Sequence, residues 1–320
     1  MTSNSAHGRK RFLIIHNPIA GMRRRWMLHE VCRHMREQGA ELTITHAESL
    51  EDDRRLARLA VEEGGFDAVI AAGGDSTVRG VASGLVGSEL PMGIIPIGTG
   101  NVLAHEIGMR HGPKAVAGYL LRGASIAVPA GWANNELFSL MASAGFDARV
   151  LSRLDTSWKR RMGKLAYVWP VLSELASKQP FFDVEVDGQA RRCSWLIVTK
   201  VQCYGGPFRI ARQQHLQSMQ FHAAIITTRT RVGLAGAILA IGMGRAGKHS
   251  KVEILPCGNV AVTGGQKIAT QLDGEPYFPP PLNITMSPQK LQLIVPPHFR
   301  TRPAEATQSE NAEAVPPAPA

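Results

Sequence analysis

Cysteine is scarce in this chain: Cys32, Cys193, Cys203 and Cys257 are the four among 320 residues, and no two stand two or three residues apart. Such spacing excludes a zinc knuckle or a Cys-x-x-Cys redox pair and suits a reducing compartment. Aromatic residues make up only 6%, too few for a row of base-stacking platforms. Neither a C2H2 pattern nor an RNP1-like run is present, so no nucleic-acid partner is expected. Long apolar runs are missing as well. The longest, Val232 to Gly244, has 13 residues against the roughly 20 of a spanning helix; it reads as a core helix or strand pair, with an interfacial membrane patch as the alternative, and no transmembrane segment is expected. No Gly-Lys-Ser/Thr closes a Walker A loop. Gly98-Thr99-Gly100 is no Rossmann fingerprint either, because Asn101, Val102 and Leu103 stand where a third glycine or alanine is required. The pairs His29-Glu30 and His105-Glu106 have their second histidines at His34 and His111, five and six residues on, and so miss the shared helix face of a zinc site.

What the chain has is positive charge, glycine and a filled core. Lys and Arg total 36 against 26 acids, a net charge of +10 and a pI near 9.8, which favours anionic partners such as nucleotide phosphates or an acidic membrane surface. The basic runs Arg23-Arg24-Arg25 and Arg153 to Lys164 are the densest. The hydrophobic fraction of 44% is that of a folded globular protein.

Apolar bursts and helical periodicity alternate over residues 11–122. Strands are expected at Arg11–His16, Glu41–His46, Asp67–Ala72 and Met92–Ile95. Helices are expected at Arg24–Gln38, Leu50–Glu63, Thr77–Leu85, Val102–Ile107 and Pro113–Arg122. This alternation predicts an α/β layer on a parallel sheet, in which ligands bind at the carboxyl ends of the strands. Beyond residue 125, short β-like runs separated by turns, Asn283–Met286 and Lys290–Val295 among them, predict a mainly antiparallel β domain, with helix-like stretches near 163–178 and 231–246. The expected organisation is a flexible leader over 1–9, an α/β nucleotide-binding domain over 10–124, a β-sandwich substrate domain over 125–300 and a disordered tail over 301–320.

Three loops follow apolar strands and so converge on one sheet edge: Asn17 to Gly21, Gly73 to Thr77, and Ile97 to Asn101. In Gly73-Gly74-Asp75-Ser76-Thr77 two glycines let the backbone approach a phosphate, and the helix N-terminus adds a partial positive charge. An aspartate there repels bare phosphate. It fits beside Mg2+, as a proton acceptor, or as a helix cap. Gly98-Thr99-Gly100-Asn101 repeats the design, with Asn101 placed either to line the site or to cap the following helix.

Together with Leu272-Asp273-Gly274-Glu275, these loops occur in an order and spacing that resemble the diacylglycerol kinase catalytic-domain family, which includes bacterial lipid kinases and sphingosine kinases. Ala144-Gly145-Phe146-Asp147-Ala148, the basic Lys159 to Tyr167 and Tyr204-Gly205-Gly206-Pro207-Phe208 extend the similarity over roughly 11–297. The resemblance implies an NAD kinase-like α/β domain followed by a β-sandwich, with ATP and Mg2+ in the cleft between them. It places Asn17, Gly73, Gly74, Asp75, Ser76, Thr77, Gly98, Thr99, Gly100 and Asn101 on the nucleotide side. It makes Asp273 the base that accepts the lipid hydroxyl proton, with Asp75 and Glu275 serving the metal. The implied activity is transfer of the γ-phosphate of ATP to a diacylglycerol-like hydroxyl by a cytoplasmic protein, peripheral at the inner membrane face.

The departures from the family pattern are Ser76 for its glycine, Arg79-Gly80 for its Asn-Glu, Val102 for a polar residue, and the loss of Asp-Gly-x-Leu before Phe221. If position 76 needed a positive φ or a close approach to phosphate, strain of about 1–3 kcal/mol would result. A weakened or non-catalytic lipid- or nucleotide-binding homologue is the alternative these departures imply. An NAD kinase-like enzyme is a third reading, disfavoured by the Asn-Pro loop and the Asp-Gly-Glu turn.

Overall fold

The computed structural model describes residues 8–18, 25–109, 112–154, 163–206, 208–263, 268–277 and 280–301. The leader up to His7, Arg23 and Arg24, most of the basic cluster around Lys159, Pro207 and the tail from Arg302 lie outside them.

The first half is built as its periodicity dictates. Strands β1 (Arg11–His16), β2 (Glu41–His46), β3 (Ala68–Gly73) and β4 (Met92–Pro96) lie parallel in the order β2-β1-β3-β4. β3 and β4 are buried along their whole length, as parallel strands covered on both faces must be. Between them run α1 (Arg25–Glu37), α2 (Leu50–Glu63) and α3 (Asp75–Leu85); α4 (Val102–Glu106) and α5 (Pro113–Arg122) follow β4. α2 spans the range its sequence predicts, because Ser49 accepts a bond from the Asp52 amide at 3.1 Å and acids fill the first turn. α3 packs closely on α2 through two of its glycines. A Cβ at Gly80 would stand 2.5 Å from Asp53 Cβ, and one at Gly84 would stand 2.4 Å from the Arg54 carbonyl oxygen. Glycines at i and i+4 thus form the groove that admits the neighbouring helix.

In the second half, β5 (Ala124–Ala133), β6 (Glu136–Phe138), β8 (Phe182–Val186), β9 (Gln189–Cys193), β15 (Asn259–Val262) and β18 (Leu282–Val295) extend the first sheet to ten strands. A second sheet is wholly antiparallel, in the order β14 (Val252–Cys257), β13 (Phe221–Ile226), β10 (Trp195–Thr199), β7 (Met141–Gly145), β16 (Thr270–Leu272), β17 (Glu275–Tyr277). Alternate residues such as Leu196/Val198, Ala223/Ile225, Val184/Val186 and Leu282/Ile284 fill the space between the sheets. There Phe138 stacks on Phe221 at 5.5 Å between centroids. The expected runs at Asn283–Met286 and Lys290–Val295 are one strand, β18, irregular between Met286 and Lys290. Its end pairs in parallel with β4 through Leu293 and Met92, so a single strand joins the parallel sheet to the sandwich.

The helices of this half are α6 (Phe146–Ser152), α7 (Val168–Ala176) and α8 (Arg231–Gly242); β11 (Cys203–Tyr204) and β12 (Phe208–Arg209) form a small hairpin. All four cysteines are free and buried. The expectation of a core position for Val232 to Gly244 is met on one side of α8 only: Leu234, Ala237 and Ile241 are buried, while Val232 and Leu239 are exposed.

The segment before Phe221, which lacks the family's Asp-Gly pattern, is held by an internal cation. Lys200 is 1% exposed, and its Nζ donates to the Ser218 carbonyl at 3.0 Å. Burial pulls its pKa down to about 7 from 10.5. The unfolded chain therefore binds more protons than the fold between about pH 7 and 10.5, so stability rises with pH across that window. Lys200→Met should abolish this rise, as measured by urea unfolding at the two ends of the window.

Candidate active site

The two glycine loops touch backbone to backbone. The amides of Ile97 and Gly98 donate to the Gly73 carbonyl at 3.2 and 3.1 Å. A Cβ at Gly98 would come within 2.4 Å of Gly74 Cα, one at Gly73 within 2.3 Å of Thr77 Oγ1, and one at Gly100 within 2.6 Å of Asp75 Oδ2. Packing therefore demands glycine at 73 and 98, whereas at 100 a Cβ would meet only the carboxylate end of Asp75. Gly74 is different: its backbone is extended, with φ −95° and ψ −169°, and a Cβ there would make only ordinary contact at 3.6 Å. What glycine provides at 74 is an open face at the N-terminus of α3, where a phosphate can approach the amides. Asn17 is drawn to the same edge, its amide donating to the Ala72 carbonyl at 3.4 Å, and Thr99 is exposed.

Asp75 reaches out of its own helix. Its Oδ1 accepts from the Val102 amide at 2.7 Å, so it caps α4 from the neighbouring loop. Asn101, by contrast, stands at the N-cap of α4 in the left-handed region, φ 49°, without capping it. Its Nδ2 turns back to the Gly98 carbonyl at 2.8 Å, which corrects the cap reading of Asn101. Asn101 Oδ1 and Thr77 Oγ1 are buried without hydrogen-bond partners among the described residues, as is His16 Nε2 at the end of β1. Buried polar atoms are rarely left so in a finished site. Orphaned atoms flanking glycine-walled amides fit a nucleotide's polar groups.

Leu272 to Glu275 is a two-residue hairpin joining β16 to β17, with Asp273 at φ 51° and Gly274 at φ 87°. Asp-Gly is the pair such a turn requires. The Asp273 carboxylate accepts three backbone bonds: Oδ2 from Ser139 at 2.7 Å, and Oδ1 from Leu140 and from Met141 at 2.9 Å each. Burial raises its pKa, opposed by the charge of Arg79 and these amides. Burial first, and then the negative charge of Asp273, lift Asp75 to about 6, while amides of the α4 N-terminus pull the other way. The two carboxylates are thus close enough to repel.

Glu275 opens β17 and is half-buried. Beneath the turn, Gln271 Nε2 donates to Ser143 Oγ at 2.8 Å and Ser143 Oγ to Asp147 Oδ1 at 2.6 Å, while Tyr204 OH donates to Asp147 Oδ2 at 3.0 Å. Gln271 Oε1 also accepts the Gly274 amide at 2.7 Å. This chain of bonds gives Asp147 and Tyr204 a supporting place under the turn.

Two departures acquire a different meaning. Ser76 lies in the first turn of α3 and is not among the non-glycine residues of positive φ, which among the described residues are Asn101, Asn134, Asp187 and Asp273. The expectation of strain at Ser76 is therefore corrected: a helical residue needs no glycine. Arg79 is no mere loss either. Its Nη1 donates to the Leu272 carbonyl at 3.1 Å, tying α3 to the Asp273 turn, a role that only the tertiary structure reveals.

Among the described residues no three His, Cys, Asp or Glu side chains converge as a self-sufficient metal site. Mg2+ commonly binds through one or two carboxylates with phosphate oxygens and waters completing its shell. Asp75, beside the open face at Gly74, can supply one such carboxylate.

An α/β layer with glycine loops, tied through Arg79 to a carboxylate turn of an antiparallel sandwich, is the two-part architecture of this chain. Residues 11–133 match the diacylglycerol kinase catalytic domain, and residues 140–295 match the YegS C-terminal NAD kinase beta sandwich-like domain. The chain belongs to the diacylglycerol kinase catalytic-domain family. It is 28% identical over 277 residues to the diacylglycerol kinase of Bacillus subtilis (strain 168), covering 83% of this chain and 90% of that one. It is 28% identical over 282 residues to the "Probable lipid kinase YegS-like" of Pseudomonas aeruginosa (strain UCBPP-PA14), covering 84% and 91%. A crystal structure of a diacylglycerol kinase from Bacillus anthracis str. Sterne superposes with a TM-score of 0.71 at 19% identity, covering 91% of this chain and 98% of the other; at that identity the likeness concerns the fold.

Proposed function

We propose that this chain is a lipid kinase that transfers the γ-phosphoryl group of ATP to the hydroxyl of a diacylglycerol-like lipid. The observation that carries the reading is that α3, which opens with Gly74 and Asp75 at its N-terminus, is tied by Arg79 to the turn that holds Asp273. Residues 10–124 serve as the nucleotide-binding part and 125–300 as the substrate part. The phosphates lie against the amides at Gly74 and the N-terminus of α3, with Asn17, Thr77, Thr99 and Asn101 around them. Asp273, oriented by three amides and beside Arg79, accepts the proton as the lipid oxygen attacks the γ-phosphorus and the bond to the β-phosphate oxygen breaks, releasing ADP. Asp75 and Glu275 are the residues that would hold Mg2+, which neutralises phosphate charge when bound. Such chemistry rests on positioning and charge. Among the described residues no helix is long and apolar enough to cross a membrane; the reading puts a cytoplasmic protein at the inner membrane face.

The positive-φ argument for the non-catalytic alternative does not apply to a helical Ser76, and its other grounds, Arg79 and Gly80, are bonded and packed into the fold. Ser76→Gly is expected to change kcat/KM by less than about threefold, well short of the tenfold that about 1.4 kcal/mol would bring. It should lower stability by about 0.5–1 kcal/mol, as glycine does inside a helix. A tenfold or larger rise in activity would restore the strain argument. The reading itself is tested by transfer of labelled γ-phosphate from ATP-Mg2+ to mixed micelles of diacylglycerol, sphingoid base, isoprenoid alcohol and glycolipid. A labelled diacylglycerol supports it; no labelled lipid from folded protein at high load overturns it.

A further inference from the structure

The helix α8 lacks a polar face. Leu234, Ala237 and Ile241 fill its buried side, yet the opposite side carries Val232, Leu239 and Met243, exposed by 84%, 61% and 51%. A globular helix ordinarily turns charge to solvent. α7 behaves alike: Val168, Trp169 and Leu172, preceded by Leu165, are 52%, 78%, 55% and 66% exposed. The helices are joined end to end, with Arg231 Nη2 donating to the Ala176 carbonyl at 2.9 Å. Of the eleven exposed large hydrophobics among the described residues, seven belong to this pair and its approach. Scattered apolar residues need no explanation, whereas a concentration of them marks an interaction surface.

Where α8 ends, the surface becomes cationic. A cavity of about 470 Å3 opens there, lined by Arg212, His222, Arg245 and Lys248 and by no acidic residue. Gly244, at φ +63°, lets the Arg212 guanidinium lie close over the helix end, 2.9 Å from where a Cβ would be. Arg212, Arg245 and Lys248 make no ion pair among the described residues. From Arg229 to Val252 the sequence holds five lysines and arginines and no Asp or Glu. None of the cavity's lining residues belongs to the glycine loops or the Asp273 turn.

We propose that the α7–α8 face and the cationic cavity at the end of α8 form one docking surface for an anionic phospholipid bilayer. Val232, Leu239, Met243 and Trp169 enter the boundary of the acyl layer, where apolar side chains and tryptophan gain most. Arg212, Arg245 and Lys248 receive the phosphate-bearing head groups, to which clustered lysine and arginine are attracted. Charge complementarity selects this occupant over a second copy of the chain, which would bring the same cations face to face. The proposal deepens the lipid-kinase reading, since it supplies the means of reaching a substrate that resides in a membrane.

The test is co-sedimentation of the full chain, without ATP, with phosphatidylcholine vesicles containing or lacking phosphatidylglycerol. Binding is expected to be at least about tenfold tighter to the anionic vesicles and to weaken with salt. The pair Leu239→Ser with Met243→Ser, and separately Arg245→Glu with Lys248→Glu, should each weaken binding about tenfold or more. Both pairs are exposed, so unchanged melting temperatures are expected. The proposal is overturned by a wild type that binds neither vesicle, or by both variants binding as the wild type does. It is equally overturned by a dimer that the serine variant dissociates, or by displacement from vesicles by millimolar inorganic phosphate. Phosphorylation of a monomeric short-chain diacylglycerol should be unaltered in both variants. Because vesicle binding is read without ATP, its failure is distinct from a failure of the kinase reading, which the short-chain assay exposes in the wild type.

Discussion

Asp273→Asn is expected to lower kcat for lipid phosphorylation by about 10²–10⁴-fold, the range over which a positioned base contributes. The Michaelis constant for ATP should move by no more than about threefold, because the lost group acts on the lipid hydroxyl in the transition state. Asparagine preserves the shape of the side chain and one accepting oxygen, which can still serve the amides of Leu140 and Met141. Its NH2 group, however, faces the Ser139 amide, which now donates to Oδ2 at 2.7 Å. Two donors would then meet, at a cost of about 1–3 kcal/mol for an unsatisfied buried group. The variant should therefore be both slower and less stable, separable by labelled-phosphate transfer and by urea unfolding. A pH profile adds an independent readout. Because burial raises the pKa of Asp273, the acidic limb of kcat/KM should lie above the ordinary carboxylate range in the wild type and vanish from residual activity in the variant. If Asp273→Asn kept more than about a tenth of the rate, the carboxylate would be only the anchor of its turn.

The second large effect is on stability, and it concerns a position that sequence comparison alone would misjudge. Gly80→Glu restores the acid the family usually has, and would be expected to help if the site merely lacked charge. The geometry predicts the reverse. A Cβ at position 80 would stand 2.5 Å from Asp53 Cβ and 2.9 Å from the Leu50 carbonyl oxygen, so α2 would have to move away from α3. Asp53 is 1% exposed, and burial has already raised its pKa to about 7. A second carboxylate would be forced in beside it. Overpacking of a core costs about 1–3 kcal/mol and an unpaired buried charge adds to it, so a loss of at least about 3 kcal/mol in unfolding free energy is expected, with activity falling rather than rising. Gly80→Ala isolates the steric part and should lose about 1–3 kcal/mol. A Gly80→Glu protein as stable as wild type would show that the two helices do not meet through Gly80.

How much of this was legible in the sequence depended on the range of the interactions involved. The parallel strands announced themselves as continuous apolar runs, and α2 as a periodic segment with a serine cap, because those signals are local. The glycine loops were legible for the same reason: a strand, two glycines and a polar residue opening a helix. The reach of Asp75 to the Val102 amide spans 27 residues and leaves no local trace, so Asp75 looked like a ligand or a cap of its own helix. Arg79 and Gly80 read as deficits because only tertiary packing shows one holding the Asp273 turn and the other admitting α2. The two runs that merge into β18 looked separate because Ser287-Pro288-Gln289 resembles a turn, whereas the structure absorbs it as an irregularity within one strand. The apolar character of α8 was visible, but not that half of it faces solvent, since a helix apolar on all sides carries no directional pattern.

The course of β18 has a consequence for how the protein is made. The parallel layer is encoded almost wholly before residue 123, but β4, its edge strand at that stage, takes its outer neighbour from Leu293. A ribosome adding about 5–20 residues per second leaves that edge bare for some ten seconds or more while the sandwich is synthesised. Throughout that interval the unpaired edge can pair with another nascent chain. The parallel sheet is completed only when residues 282–295, the far end of the described chain, arrive. Truncation before Leu282 is expected to yield aggregation of both halves rather than a free-standing nucleotide-binding domain.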